Sequence, residues 1–212
     1  MRISELPKQI DMNHRDHELI RRAGLAQHYF AQMNTADART EFDRLVAEYP
    51  KTPNVQYAYG RFLIDTRDDE AGLAAFKREI ENSPTHALAR LQYAYIKIRN
   101  KEPEAGITLA EEAVKMNPRL PLAHYILGRC LFETGENAKS IEELEAAQKM
   151  APAEPRIYYT LARAYAKANR REDAERARET FARLNKMAED AAQRGDQKAD
   201  AIEEKERDPI KP

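Results

Sequence analysis

Proline recurs in this chain at a fixed interval. Pro50, Pro84, Pro118 and Pro152 stand 34 residues apart, and Pro53, Pro121 and Pro155 follow three positions later, with Ala87 in the remaining slot. Self-similarity at a constant period of a few tens of residues marks an architecture built by stacking one small unit, so the period has to be read before any single helix is. The first proline of each pair lacks an N–H and clashes with the preceding turn, which ends a helix there. The second suits the first position of the next helix, where the missing donor has no partner to lose. Each unit is thus predicted to start and stop at defined points.

Between the prolines the pattern splits into two short helices. In the clearest unit PLAHYILGRCLFET forms the first, GEN the turn, and AKSIEELEAAQKM the second, ending at Ala151 and Pro152. Gly135 suits the left-handed residue that closes such a turn, and Asn169 fills the same slot one unit later. Arg67 and Lys101 hold that slot in two earlier units. A side chain is unfavourable in that conformation, which predicts looser turns at those two points. The remaining composition agrees with an all-helical chain: one third of residues are charged, only seven are glycine, and Ala, Glu, Arg and Leu abound.

Aligned from Leu19, Pro53, Ala87, Pro121 and Pro155, the units share further positions. A small residue recurs at Ala26, Gly60, Ala94, Gly128 and Ala162, preceded by Leu25, Tyr59, Tyr93, Leu127 and Leu161. A second small series runs Ala38, Gly72, Gly106, Ser140 and Ala174, with Phe42, Phe76, Ala110 and Leu144 four residues on. With these residues the chain resembles the tetratricopeptide repeat family, whose pattern expects an aromatic, Leu-Gly and Tyr in the first helix and Ala, Phe and Pro in the second. It departs from that pattern at Lys97 (for Tyr) and Arg178 (for Phe), and it contains no tryptophan. The resemblance implies an all-α, right-handed α-solenoid of about five helix-turn-helix repeats, 19–52, 53–86, 87–120, 121–154 and 155–186, after a polar segment 1–18. A capping helix carrying Phe181, Leu184 and Met187 is expected to stop near Gly195, leaving 187–212 as its end and a charged, solvated tail.

In this family the concave wall is built mainly from first helices, so the fifth and ninth positions of each unit are the ones to read. They hold Ala23, Tyr57, Leu91, Tyr125 and Tyr159, and Gln27, Arg61, Tyr95, Arg129 and Arg163. Four residues apart, each pair shares one helical face. Tyr57, Arg61, Leu91, Tyr95, Tyr125, Arg129, Tyr159 and Arg163 are the candidate peptide-binding residues. Tyrosine and arginine are enriched at interface hot spots, and arginine grips a carboxylate with two parallel hydrogen bonds. The expected partner is a protein or peptide segment with acidic and apolar side chains. The alternative is that the tyrosines serve packing and the arginines lie over ring faces in solvent.

Other functions fit less well. The carboxylate clamp of some tetratricopeptide co-chaperones would need Lys, Asn, Asn, Lys and Arg where the three registers give Ala23, Gln27, Ala58, Leu88 and Gln92; Tyr57, Arg61, Gln92, Leu122 and Ile126; and Leu91, Tyr95, Ile126, Arg156 and Thr160. A formal net charge of −1 gives no overall field toward nucleic acid or anionic lipid. No phosphate loop, zinc motif or nucleophile elbow occurs, so neither an enzyme nor a cofactor is expected. Asp11, His14, Asp16 and His17 are better read as a polar terminus than as a metal site, and Cys130 as a small core hydrophobe rather than a nucleophile. The chain shows no secretory h-region and no membrane-spanning run, which points to the cytoplasm, or to the periplasm if a signal has been removed. The similarity in style is to bacterial tetratricopeptide proteins, many of which assist envelope, pilus or secretion assembly. A second expectation is therefore a self-associating assembly factor, with a homodimer formed through the last helix.

Overall fold

The computed structural model describes the backbone of residues 14–207 and the side-chain surroundings of residues 17–194. Its elements are helices throughout, with no strand among the described residues: α1 (His14–Ala31), α2 (Thr35–Glu48), α3 (Val55–Asp65), α4 (Asp69–Asn82), α5 (Ala87–Arg99), α6 (Glu104–Met116), α7 (Pro121–Glu133), α8 (Asn137–Met150), α9 (Pro155–Lys167) and α10 (Arg171–Arg207). Two compact units form, Met1–Tyr93 and Ala94–Pro212, the division falling inside α5. In the first unit α1 pairs with α2 and α3 with α4, and in the second α7 pairs with α8 and α9 with α10.

One turn joins the two helices of every pair. Met33, Arg67, Lys101, Gly135 and Asn169, spaced 34 residues apart, all take a left-handed backbone, with φ between 59° and 88°. After each, the N–H of Asn34, Asp68, Glu102, Glu136 or Arg170 donates to the carbonyl of Tyr29, Leu63, Lys97, Leu131 or Tyr165 at 2.8–2.9 Å. The left-handed residue itself donates to Phe30, Ile64, Ile98, Phe132 or Ala166 at 3.0–3.2 Å. These are the two hydrogen bonds of the Schellman motif. The looser turns expected at Arg67 and Lys101 do not occur. Two hydrogen bonds offset a left-handed penalty of about 1–2 kcal/mol for a residue with a Cβ, so the geometry is the same whichever residue fills the slot.

The small positions explain how closely the helices approach. Ala26, Ala38, Ala94, Ser140 and Ala174 are at most 1 % exposed. A Cβ added at Gly128 of α7 would lie 2.7 Å from Leu144 Cγ of α8. At the same crossing Ser140 Oγ donates to the Gly128 carbonyl at 2.8 Å. Phe42, Phe76, Ala110 and Leu144, the fourth residue after each small one, are buried. Arg178, their counterpart in the last pair, is exposed. In the first unit Phe42 stacks on Phe62 at 4.8 Å and Phe30 meets Phe62 edge-on at 5.4 Å, an aromatic cluster across three helices.

The helix starts match the proline frame at Pro121 and Pro155 and at Ala87, the first residues of α7, α9 and α5. Pro53 is different: α3 begins at Val55, after a left-handed Asn54 (φ 70°) that gives it no side-chain cap. Its cap comes from α4 instead. The fully buried Glu79 accepts from the N–H of Asn54 at 2.8 Å and of Tyr57 at 3.3 Å, placing a carboxylate on the positive end of the helix. Both chain ends are also more helical than expected. α1 starts at His14 rather than Leu19. Its first described turns hold Glu18 against Arg21 and Arg22 at 2.7 and 2.8 Å. The Arg21 hydrogen bond brings the Glu18 carboxyl down to about 2. α10 passes through Gly195 to Arg207. One glycine costs a helix about 1 kcal/mol, which the strong helix formers around it offset. The side chains of the expected tail and of Asp11, His14 and Asp16 lie outside the described residues.

If the turn geometry is set by hydrogen bonding and not by residue type, Lys101→Gly stabilises the protein by about 1 kcal/mol through relief of left-handed strain, and Gly135→Ala destabilises it by a similar amount. Urea unfolding of both variants measures the pair; equal midpoints for wild type and Lys101→Gly would contradict the account.

Candidate functional site

The eight candidate residues fall in both units. In the first, Tyr57 is half-buried, its ring 5.8 Å from Phe76 and 4.8 Å from His86. Arg61 is exposed, and Leu91 is buried at 1 % exposure, so that its side chain supports the fold from inside. No ion pair or ring contact engages Arg61 among the described residues.

In the second unit the remaining five form a connected surface. The Arg129 guanidinium lies 5.4 Å from the Tyr95 ring centroid and 5.8 Å from that of Tyr125. Tyr125 receives a second cation, Arg156, at 5.7 Å. Arg163 sits 5.7 Å from Tyr159 and 4.5 Å from Phe132, whose ring also receives Lys167 Nζ at 4.2 Å. Tyr159 is 51 % exposed and packs its ring against Phe181 of α10 at 5.5 Å. The cation-π arrangement weighed as an alternative is therefore present. It does not compete with binding: a stacked guanidinium uses its flat face on the ring and keeps its in-plane N–H donors for an acceptor.

The charges around these rings differ in how they are paired. Arg156 makes a two-pronged contact with Glu154, Nε to Oε1 at 2.8 Å and Nη2 to Oε2 at 3.2 Å, which raises the guanidinium's proton affinity and lowers that of the carboxyl. Arg163 reaches Glu133 at 3.5 Å and Arg178 reaches Glu175 at 3.0 Å. Arg129 and Lys167 have aromatic neighbours and no acidic partner among the described residues.

Two concavities open on this surface side by side. The first, about 360 Å³, is lined by Tyr125, Arg129, Arg156, Thr160 and Phe181, and the second, about 330 Å³, by Phe132, Ala162, Ala166, Lys167 and Arg178. Tyr159 and Arg163 line both. Sequence reading identified the shared wall and missed Phe132, Arg156, Lys167 and Phe181. Lys167 was within reach of the same logic, since Tyr159, Arg163 and Lys167 continue one four-residue series along a single helical face.

Cys130 lies below this surface, fully buried, and burial pushes its thiol up to about 12. It fills the space left by Gly106, where an added Cβ would sit 3.1 Å from its sulfur. It is placed as a core residue. No group of acidic, histidine and cysteine side chains with metal-binding geometry occurs among the described residues, and none of the described helices is long and apolar enough to cross a membrane. A thiol held neutral reacts slowly, so Ellman's reagent at pH 8 leaves native Cys130 unlabelled and titrates one thiol per chain in denaturant; rapid labelling of the folded protein contradicts this burial.

Comparison with known proteins agrees with the helix pairs. Among solved structures, the chain superposes on a MamA double mutant ("MamA RS-1 ArsTM double mutant") with a TM-score of 0.72, at 16 % identity over 80 % of this chain and 96 % of that one. It matches MamA 41-end from Desulfovibrio magneticus RS-1 at a TM-score of 0.67 and 18 % identity, covering 81 % and 96 %. A crystal structure of MamA protein gives 0.69 and 18 %, covering 79 % and 92 %. At such identities the likeness is one of fold, the all-α solenoid class. No curated protein matches the sequence. The tetratricopeptide repeat family model matches residues 24–87 and 93–155, more than half of the chain, in the register set by the prolines. With that match and with five Schellman turns at 34-residue spacing, the chain belongs to the tetratricopeptide repeat family.

Proposed function

We propose that this protein is a non-catalytic adaptor that holds a segment of another protein, bearing acidic and apolar side chains, against the first-helix faces of its repeats. Family membership supports the general role of a protein-interaction scaffold. The observation that carries the specific reading is Arg129, a cation fixed between Tyr95 and Tyr125 with its edge donors unclaimed by any acid of the second unit's described residues. Folding has already ordered the side chain, so a carboxylate that reaches it meets a donor whose rotamer freedom is spent. Tyr159 adds an exposed aromatic surface for an apolar neighbour. Arg61 offers a comparable exposed cation in the first unit.

Changing Arg61 of the first unit and Arg129 and Arg163 of the second together to Glu reverses three first-helix charges without entering the core. Partner recovery from lysate of the native host falls at least about tenfold, the loss of one charge-assisted contact of 1.4 kcal/mol or more. Undiminished recovery of the same proteins by a correctly folded triple variant overturns the groove reading.

A second reading rests on α10, which spans 37 residues against 13 for its partner α9 and carries Met187 at 58 % exposure. A helix that outruns its neighbour offers a face for a second copy, as in an assembly factor. Light scattering of the protein truncated after Met187 tests this: a self-associating chain loses mass beyond the deleted residues, and an unchanged oligomeric state removes α10 as an assembly device.

A further inference from the structure

Two positions of the repeat change character in the last unit. The slot eleven residues after the start of each unit holds Phe30, Ile64, Ile98 and Phe132, and then Ala166. The four large side chains are buried or half-buried, whereas Ala166 is exposed. Phe132 shows how the slot is used: its ring lies 4.5 Å from the Arg163 guanidinium and 4.2 Å from Lys167 Nζ, both on the helix that follows it in the stack. Arg178 marks the same change on α10, since Phe42, Phe76, Ala110 and Leu144 at its position are buried and it is exposed. The last helix pair thus lacks two apolar side chains that earlier pairs supply. The second concavity, about 330 Å³, opens beside Ala166 and Arg178.

Its apolar walls are the rings of Phe132 and Tyr159 and the methyls of Ala162 and Ala166. Arg163, Lys167 and Arg178 complete the lining, with no carboxylate among the described residues. Glu133 holds Arg163 at 3.5 Å and Glu175 holds Arg178 at 3.0 Å, each through one guanidinium nitrogen. An ion pair made at the edge of a guanidinium leaves its flat face for a ring. Lys167 has the Phe132 ring and no acid among the described residues. An aliphatic side chain entering this space would strip water from the cations and return nothing. An aromatic ring presents its negative face to them. It also finds a ring partner in Tyr159, which is half exposed.

Resting on the reading of this surface as a binding groove, we propose that the second concavity is a socket for one aromatic side chain of the bound segment, seated on the Ala162 and Ala166 methyls beside Tyr159 and facing Lys167 and Arg178. The apolar part of the ligand is then aromatic rather than aliphatic, and its acidic part is left to Arg129 in the neighbouring concavity. The socket exists because a side chain is missing from the register. A phenylalanine at position 166, such as Phe30 and Phe132 supply in their own units, would fill it from within.

Two fluorescent nine-residue peptides test this against the full-length protein by anisotropy. Each has aspartates on both sides of a central residue, which is phenylalanine in one and cyclohexylalanine, its saturated counterpart of similar shape, in the other. The phenylalanine peptide binds at least about fivefold tighter, the gain from ring faces on two cations. Ala166→Phe abolishes that preference and Lys167→Met, which keeps an apolar stem without the charge, reduces it. Arg129→Glu weakens both peptides alike. Circular dichroism confirms that the three variants fold. Equal affinity of wild type for the two peptides, a preference that survives both Ala166→Phe and Lys167→Met, or a loss with Arg129→Glu confined to the phenylalanine peptide overturns the aromatic socket and leaves the groove reading intact. Failure of wild type to bind either peptide overturns the socket as well, and partner recovery with the triple charge reversal then decides the groove reading.

Discussion

Every helix pair in this protein depends on one residue per 34 being left-handed. That residue turns the chain so that the second helix descends along the first, and its two hydrogen bonds fix where the first helix ends and, two or three residues beyond the turn residue, where the second begins. Small residues then find each other without further specification: Gly128 faces Ser140 and Leu144 because the turn at Gly135 lies seven residues after Gly128 and five and nine residues before the other two. The cost of placing Arg67 or Lys101 in that conformation is smaller than the cost of shifting a whole helix against its partner by one residue, which would put side chains where the small positions admit none.

Much of this was legible in the sequence because the signals were periodic. Prolines, small residues and the large residues after them repeat in one frame, and positions that agree across several units reinforce each other where any one alone would be weak. Features that break the period were the ones missed. Glu79 stands where the other units have Leu45, Ala113, Ala147 and Phe181, and nothing in a repeat pattern suggests that an acid there would be buried under a helix N-terminus. The helix ends were underestimated for a similar reason: outside the repeats no period applies, and local ion pairs such as Glu18 with Arg21 and Arg22 decide the outcome.

The candidate surface shows the same division. Its residues at the fifth and ninth positions could be listed from the register, but which of them keep free donors depends on neighbours that sequence does not pair. Arg163 and Arg129 occupy equivalent positions in successive units, yet Glu133 claims one and no described acid claims the other. A repeat scaffold thus presents chemically unequal sites from nearly equal residues, and the inequality arises from single acids on the helix next door.

The buried Glu79 also bears on how the molecule assembles itself. α3 opens on Asn54, which supplies no cap of its own, and the carboxylate that satisfies its first N–H groups sits 25 residues along the chain in α4. A short helix without a cap is a poor nucleus, because its opening turn fixes several dihedrals for little hydrogen bonding in return. α3 therefore gains its N-terminal stability only once the chain has folded back through the turn at Arg67. In this unit the two helices are thus stable as a hairpin rather than one by one, and a single carboxylate ties the start of α3 to α4.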